Sequence, residues 1–252
     1  MMQDDLENVL VQFDKIDLIG LESVKLLNRI DFKYILHTSD LNELLFHLKE
    51  DYKLLEINKL HLFDYETQYY DSPEFQLYYA HHNGRPNRFK IRRRRYVYNN
   101  QNFFEIKHKI KGNRTHKFRV EKSGEGSFFS EIEREMLNLT GAPNIALQEK
   151  LRVHYSRITL AAKSANERIT IDLGLSYSNN KEQKNLNDLV VVEVKQGVTN
   201  RRSKVILYLK SKKKHPLSMS KYAIGIAMLE SSVKKNAFKS KIIQINKILN
   251  NA

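Results

Sequence analysis

The stretch Arg88-Phe89-Lys90-Ile91-Arg92-Arg93-Arg94 alternates charged and apolar residues over most of its length. Two segments that follow it, Glu105-Ile106-Lys107-His108-Lys109 and Lys117-Phe118-Arg119-Val120-Glu121, repeat the pattern. An alternation with a period of two predicts β-strands, because successive side chains of a strand lie on opposite faces of the sheet. We therefore expect three strands that each have one charged face and one apolar face.

The positive charge of the chain is concentrated around these strands. Residues 85–122 hold fourteen Lys and Arg residues against two Glu, which is +12 of the formal net charge of +14. The sequence pI of about 9.7 indicates an anionic partner without saying which anion.

The composition predicts a folded protein without disulfides or membrane spans. Hydrophobic residues make up 41% of the 252 residues, and the chain has no cysteine. No apolar run is long enough to cross a bilayer, and the acidic N-terminal residues do not resemble a secretory signal. We therefore expect a cytoplasmic protein with no thiolate metal site and no thiol nucleophile.

Hydrophobic periodicity predicts eight strands among several helices. The strands are expected at residues 28–34, 65–71, 88–98, 102–110, 115–121, 152–160, 168–173 and 189–195. Helices are expected at 4–27, from a cap at 38–40 to about 52, at 127–139 and over most of 220–249. Residues 205–209 are predicted as a helix, although five consecutive apolar residues could equally form a strand. Short polar segments at 99–101 and 111–114 predict hairpin turns.

Along each predicted strand, alternate residues lie on one face of the sheet, and we call such a set of alternate residues a parity. One parity contains most of the charged residues of the strands. This parity contains Arg29, Asp31, Lys33, Arg88, Lys90, Arg92, Arg94, Glu105, Lys107, Lys109, Lys117, Arg119, Glu121, Arg168, Thr170, Asp172, Glu193 and Lys195, which Tyr155 and Arg157 can join. Such a face could simply meet water over a sheet with a buried apolar side. Crowding so many like charges is costly unless an anion lies among them.

Eight antiparallel strands can also close into a barrel whose lumen carries the charged parity. We therefore predict an α+β fold: an eight-stranded antiparallel β-barrel with a charged lumen, helices packed outside and a C-terminal helical segment. Three acids share the parity of the cations, namely Glu105, Asp172 and Glu193. They could pair with neighbouring Lys or Arg, or hold Mg²⁺ or Mn²⁺ together with phosphate oxygens.

A set of short motifs resembles the VTC domain, the polyphosphate polymerase branch of the triphosphate tunnel metalloenzymes. The motifs are Arg29-Ile30-Asp31-Phe32-Lys33-Tyr34, Tyr70-Asp71-Ser72-Pro73, Arg88-Phe89-Lys90-Ile91-Arg92, Glu105-Ile106-Lys107, Tyr155-Ser156-Arg157, Arg168-Ile169-Thr170-Ile171-Asp172, Val192-Glu193-Val194-Lys195 and Ser220-Lys221-Tyr222. Their order and spacing span about residues 27 to 230. The resemblance implies one domain over 1–252, with a helical lead at 1–27, a tunnel core at 28–230 and a helical tail at 231–252.

The resemblance also implies a site. It assigns phosphate ligands to Lys33, Arg92, Arg94, Lys107, Lys117, Arg157, Arg168 and Lys221, and the metal ligand to Glu193 with Lys195 beside it. Arg88 and Lys90 join the phosphate ligands through their shared parity, whereas Arg93 and Arg95 have the opposite parity. Glu105 and Asp172 are further metal candidates. Eukaryotic polymerases of this family carry a phosphate-sensing domain and membrane spans, which this sequence lacks, so we expect a stand-alone bacterial-type member.

Three functions remain open from the sequence. The first is ATP-dependent polyphosphate synthesis with Mn²⁺ or Mg²⁺, in which the γ-phosphate of ATP extends a chain and ADP is released. The second is an inorganic or nucleoside triphosphatase of the same fold, with Glu105 as a candidate for activating water. The third is binding without catalysis, to polyphosphate, a nucleotide or RNA, although the sequence has no recognised RNA-binding motif and makes nucleic acid the weaker partner.

Overall fold

The structure is a computed structural model that describes residues 3–23, 29–111, 114–121 and 129–250. Parts of four predictions lie outside the described residues: the end of the leading helix and the start of the first strand at 24–28, the turn at 112–113, and the helix start at 127. The side chains of residues 3, 4 and 23 also lie outside the description.

The described residues form eleven strands and eight α-helices. The strands are β1 (Asp14–Ile16), β2 (Ile30–His37), β3 (Tyr52–Leu55), β4 (Phe63–Asp71), β5 (Arg88–Tyr96), β6 (Gln101–Lys109), β7 (Thr115–Glu121), β8 (Gln148–Ala162), β9 (Glu167–Ser178), β10 (Gln183–Leu186) and β11 (Leu189–Gln196). The helices are α1 (Gln3–Leu10), α2 (Leu18–Ser23), α3 (Leu41–Leu48), α4 (Gln76–His82), α5 (Glu131–Leu139), α6 (Lys204–Ser211), α7 (Lys221–Leu229) and α8 (Lys239–Asn250).

All eight predicted strands occur, and they form the main path of one large sheet. Its order is β2-β11-β9-β8-β4-β5-β6-β7, with every neighbouring pair antiparallel. Strands distant in sequence thus become neighbours, such as β2 and β11. The short strands β1, β3 and β10 lie beside this path.

Two local predictions were wrong because short strands replace predicted helix. The leading helical region is interrupted by β1, and the helix expected to reach residue 52 ends at Leu48. Strand β3 begins at Tyr52 and pairs antiparallel with β8, while β1 pairs in parallel with β3. These pairings join segments far apart in sequence, so a local hydrophobic period cannot reveal them.

The predicted closed barrel is not confirmed. Within the described residues no backbone pairing joins the terminal strands β2 and β7, so the large antiparallel sheet is open at this seam. Strand β7 is exposed at every position except Val120, as expected of an edge strand. Burial and Arg29 nevertheless lower the pKa of Lys117 of β7, while Asp31 of β2 and Glu193 of β11 raise it, so charges at the β2 end of the sheet act on β7.

The apolar face of the sheet is covered by helices. Leu36 of β2, Ile171 of β9 and Val192 of β11 pack in one core with Leu44 of α3 and Leu209 of α6. A second core joins Phe89, Ile91, Phe104 and Ile106 of β5 and β6 with Met136 of α5. The helices α3, α5 and α6 therefore pack on the side opposite the charged parity.

Arg93 fixes α5 to this outer side. Its guanidinium donates to both carboxylate oxygens of Glu133, at 2.8 and 2.7 Å, and both side chains are buried. Glu133 also accepts from the backbone N–H of Ser130 in a capping box at the start of α5. Arg93 therefore lies on the outer side of the sheet, as its parity predicts.

Helix α7 packs on the opposite side of the sheet from α3 and α6. Its residues Tyr222, Ala223 and Ile226 share a core with Tyr155 and Val191, which have the charged parity of β8 and β11. The approach is close: a Cβ on Gly225 would lie 2.7 Å from side-chain atoms of both Leu151 and Tyr177. One part of the charged face is thus covered by an apolar helix, which the sequence did not predict.

Candidate functional site

The register of the sheet places the predicted site residues on one face. Residues paired directly across antiparallel strands have side chains on the same side of the sheet. Lys33 pairs with Glu193, Arg157 with Asp172, and Arg92 with Glu105. We call this side, which also carries Lys107 and Lys195, the inner face.

The other predicted site residues on these strands also pair across the sheet on the inner face. Further pairs are Lys195 with Arg168, Arg94 with Thr67, Lys90 with Lys107, Lys107 with Lys117, and Arg88 with Lys109. Lys221 is the first residue of α7 and reaches the inner face from the helix. The inner-face cations thus come from β2, β5, β6, β7, β8, β9, β11 and α7.

Glu193 lies between two lysines. It forms a salt bridge with Lys33 on β2 and another with Lys195 on its own strand, where Nζ is 3.0 Å from Oε2. Lys195 also donates to Thr170 Oγ at 3.1 Å. Burial alone would raise the pKa of Glu193, but Lys195 and Lys33 outweigh it and hold the pKa well below its usual range. Glu193 is therefore a carboxylate at neutral pH, as a metal ligand must be.

Asp172 orients two cations. Arg157 donates to both of its oxygens, at 2.6 and 2.9 Å, and Lys221 forms a further hydrogen bond with it. Burial opposes ionisation, but Arg157 and Lys221 lower the pKa of Asp172 strongly. The backbone places Lys221 here because Ser220 caps α7, its hydroxyl accepting from the N–H of Ala223 at 3.4 Å.

Glu105 plays a similar part for Arg92. The Nη2 and Nε atoms of Arg92 lie 2.5 and 2.6 Å from Oε2 of Glu105, and Nη1 donates to the Tyr69 hydroxyl at 3.3 Å. Burial raises the pKa of Glu105, but Arg92 and Arg94 overcome this effect and lower it to about 2. Glu105 and Asp172 both have ion-pair partners, so the salt-bridge alternative describes their contacts in this structure.

A row of lysines crosses β5, β6 and β7. Lys90, Lys107 and Lys117 are aligned across these strands and form no salt bridge within the described residues. Burial together with Arg88 and Arg92 lowers the pKa of Lys90 to about 7. Arg92 above all, then burial and Arg94, hold the pKa of Lys107 well below its usual range. Lysines that lack a salt-bridge partner and have lowered pKa values are typical of a site that binds an anion.

The remaining predicted cations are more dispersed. Arg94 contacts Thr67 Oγ at 3.4 Å, and Arg88 donates to the backbone carbonyl of Arg85 at 2.8 Å. Arg168 donates to the carbonyl oxygen of Leu21 in α2 at 2.5 Å, which ties this arginine to the N-terminal segment.

Several uncharged hydroxyls on the inner face were not among the predicted ligands. Tyr65, Thr67 and Tyr69 occupy alternate positions of β4, and Tyr155 lies beside Tyr65 with stacked rings 5.3 Å apart. The Tyr155 hydroxyl is buried without a hydrogen bond in the described residues, and Lys221 lies 4.5 Å from its ring centre. The alternation of hydroxyl residues in β4 was a usable signal, but charge counting does not detect it.

The inner face offers few protein ligands for a metal ion. Among the described residues no three His, Asp or Glu side chains gather in a group suited to a metal ion. Glu193 nevertheless fits a Mg²⁺ or Mn²⁺ site of the kind that takes one carboxylate and completes its shell with phosphate oxygens and water.

The large antiparallel sheet of this chain has counterparts among solved structures. A putative adenylate cyclase from Bacillus halodurans has a similar fold, with a TM-score of 0.53, 14% identity, and coverage of 81% of this chain and 97% of that chain. A putative adenylyl cyclase from Hippeastrum, described as having a dominant triphosphatase activity, gives a TM-score of 0.47 at 15% identity, covering 79% and 95%.

The family model of the VTC domain matches residues 28–230, and the chain therefore belongs to the VTC domain family. The predicted resemblance is confirmed. Membership connects the chain with metal-dependent phosphoryl chemistry on triphosphates.

No curated protein matches the sequence significantly. Among the described residues, no helix combines the length and hydropathy required to cross a membrane.

Proposed function

We propose that this protein is a polyphosphate polymerase that transfers the γ-phosphate of ATP to the end of a polyphosphate chain and releases ADP. The observation that carries the proposal is the lysine row on β5, β6 and β7. Arg92, Arg157 and Lys221 already supply cations for a triphosphate, whereas Lys90, Lys107 and Lys117 add amines that form no salt bridge within the described residues and that a bound anion would hold in the charged form. A substrate longer than a triphosphate has a use for this additional charge.

In the proposed reaction, an anionic oxygen of the terminal phosphate of the chain attacks the γ-phosphorus of ATP. A new P–O bond forms, the bond to the β,γ-bridging oxygen breaks, and ADP leaves with the electron pair. The attacking oxygen is already deprotonated, so no protein base is required. The protein's part is placement and charge neutralisation.

The proposed roles of the residues follow their contacts. Asp172 holds Arg157 and Lys221, and Glu105 holds Arg92, so that three cations meet the phosphates in fixed orientations. Lys33, Arg88, Lys90, Arg94, Lys107, Lys117, Arg168 and Lys195 are the further proposed phosphate ligands. Glu193 would hold Mn²⁺ or Mg²⁺, which would neutralise phosphate charge when bound.

Hydrolysis is the second candidate, because the same cations would hold a triphosphate attacked by water. The Hippeastrum protein, described by its triphosphatase activity, is a reason to test this alternative. Glu105 was the candidate for activating water, but its pKa of about 2 makes it a weak base. Its hydrogen bonds to Arg92 favour an orienting role instead.

RNA binding receives less support. Phe89 and Phe104 belong to the buried core on the outer side of the sheet, with exposed fractions of 7% and 0%. They are therefore unsuited to stack with bases.

The proposal is tested by incubating purified protein with ATP and Mn²⁺ and separating the products on a polyacrylamide gel. We expect polyphosphate and ADP, and loss of both products in Glu193→Ala. Orthophosphate as the main phosphate product would favour the triphosphatase. If neither product forms, and Glu193→Ala binds nucleotide with Mn²⁺ as the natural sequence does, the metalloenzyme proposal fails.

A further inference from the structure

A cavity of about 260 Å³ lies on the side of β2 opposite Lys33. Its lining includes the rings of Phe32 and Tyr34, the Ile206 side chain of α6, and the loop residues Asn200 and Arg201. Phe32 and Ile206 are only partly buried, which leaves an apolar surface for a flat ring. The cavity is separate from the inner face, because Phe32 and Tyr34 have the opposite parity from Lys33.

Hydrogen bonds of Gln196 hold the wall of this cavity in place. Gln196 is 2% exposed, and its amide group donates to the Asn200 carbonyl at 2.9 Å and to Glu167. Its carbonyl oxygen accepts from the backbone N–H of Asn200 at 2.9 Å. The loop that carries Arg201 is thus fastened to the end of β11, so the cavity does not depend on a freely moving segment.

The rim of the cavity is cationic. Arg201 and Lys210 are exposed and form no ion pair within the described residues, whereas Lys214 pairs with Asp40 at 3.0 Å. His215 completes the basic side of the lining. Two uncompensated cations above an aromatic and aliphatic floor suit a ligand with a flat ring and an anionic group.

We propose that this cavity binds a nucleoside monophosphate, with its base against Phe32 and Ile206 and its phosphate at Arg201 and Lys210. The volume lies just below the usual range of ligand pockets, which favours a monophosphate over the long anions proposed for the inner face.

The cavity is also connected with the inner face through the backbone. The N–H of Leu217 donates to the carbonyl oxygen of Lys33 at 2.7 Å. This hydrogen bond joins the cavity segment around His215 to β2, and the same segment leads to Lys221 at the start of α7. A bound nucleotide would therefore contact β2, which carries Lys33, and the segment that leads to α7.

The test is equilibrium dialysis with labelled AMP, in the presence and absence of saturating tripolyphosphate. We expect AMP binding to persist with tripolyphosphate and to weaken at least ten-fold in the double variant Arg201→Ala/Lys210→Ala. A double variant of two exposed lysines elsewhere, Lys181→Ala/Lys184→Ala, controls for the loss of two charges and should bind AMP normally.

Three results would overturn the proposal: no AMP binding at millimolar concentrations, an equal loss of affinity in both double variants, or complete displacement of AMP by tripolyphosphate. The last result would assign AMP to the inner face. None of these results bears on polyphosphate synthesis, because the gel assay measures that reaction separately and Arg201 and Lys210 are outside the proposed catalytic set.

Discussion

Lys107 illustrates the energetic cost of the inner face. The cations Arg92, Arg94, Lys117 and Lys90 lower its pKa together with burial, and this repulsion outweighs the attraction of the nearby Glu105 carboxylate. No salt bridge compensates Lys107 within the described residues. Like charges gathered in this way destabilise the folded protein until an anion binds among them.

Replacing Lys107 with methionine should therefore stabilise the free protein while weakening anion binding. The variant keeps a long flexible side chain but removes the charge. We expect its thermal midpoint to rise by a few degrees and its affinity for tripolyphosphate to fall about ten-fold, as for the loss of roughly 1.4 kcal/mol. Differential scanning calorimetry and titration calorimetry measure the two effects.

Lys181→Met is the matched control, because Lys181 is exposed outside the sheet. It should change neither quantity appreciably. A lower thermal midpoint for Lys107→Met, or an unchanged affinity, would contradict the assignment of Lys107 to an anion site under electrostatic repulsion.

Lys90 predicts a pH dependence of anion binding. Its pKa of about 7 in the free protein results from burial and neighbouring cations. The charged and titratable groups that act on it or respond to it are Arg88, Arg92, Lys33, Lys107, Lys109 and His81. A bound polyphosphate favours the charged amine and raises this pKa, so affinity should fall as the pH rises above 7.

Proton uptake on binding measures this linkage. At pH 6 Lys90 is already protonated and contributes little uptake, whereas at pH 8 it should take up most of one proton. Titration calorimetry in buffers of different ionisation enthalpy gives the number of protons taken up on binding. The variant Lys90→Met should take up fewer protons at pH 8. Lys107 contributes in the same direction and keeps the uptake of the variant above zero. Equal uptake by both proteins at pH 8 would exclude this role for Lys90.

At the scale of elements, Asp71 connects α4 with α7. Its Oδ1 atom accepts from the backbone N–H groups of Ser72 and Leu77, at 2.7 and 2.8 Å. Its Oδ2 atom accepts from the N–H of Tyr78 at 2.8 Å and from the Tyr222 hydroxyl. Asp71 is fully buried, and Tyr222 follows Lys221 directly in the chain. The carboxylate thereby holds the helix that presents Lys221.

Asp71→Asn should disturb both helices, because the amide nitrogen would face donors that now meet an oxygen. We expect a loss of about 2 to 3 kcal/mol in the free energy of unfolding, since buried donors lose their acceptor. Urea denaturation measures it. Tyr222→Phe removes only one of the four hydrogen bonds and should cost about 1 kcal/mol. A larger loss in Tyr222→Phe than in Asp71→Asn would contradict the importance of the backbone contacts.

The elements that the sequence predicts well are the long strands. Alternation is strong in β5 and β6, because one face of each packs against α5 and the other carries charge. The position of α7 was not predictable in the same way. Its packing on the inner face depends on Gly225 fitting against Leu151 and Tyr177, which lie far away in sequence.

For the whole molecule, the sequence predicts which residues share a face but not which of them touch. Parity alone places Glu193, Asp172 and Glu105 with the cations. The partners depend on strand order, which brings β11 beside β2 and β8 beside β9. The closure of the barrel also depends on long-range geometry, and β2 and β7 remain unpaired within the described part of the chain.

The proposed site requires this long-range arrangement, since its cations come from both sides of the open seam. Lys117 of β7 and Lys33 of β2 are at opposite ends of the strand order, although Glu193, the salt-bridge partner of Lys33, acts electrostatically on Lys117. A phosphate chain along the inner face would contact both ends of the sheet. The division into a lead, a tunnel core and a tail stays a prediction.

A crystal structure of the protein with tripolyphosphate and Mn²⁺ tests the central claim most directly. We expect phosphate density between Arg92, Arg157 and Lys221, and a manganese anomalous peak within coordination distance of Glu193. Tripolyphosphate bound only outside the inner face, or manganese bound away from Glu193 beside an ordered inner-face triphosphate, would contradict it.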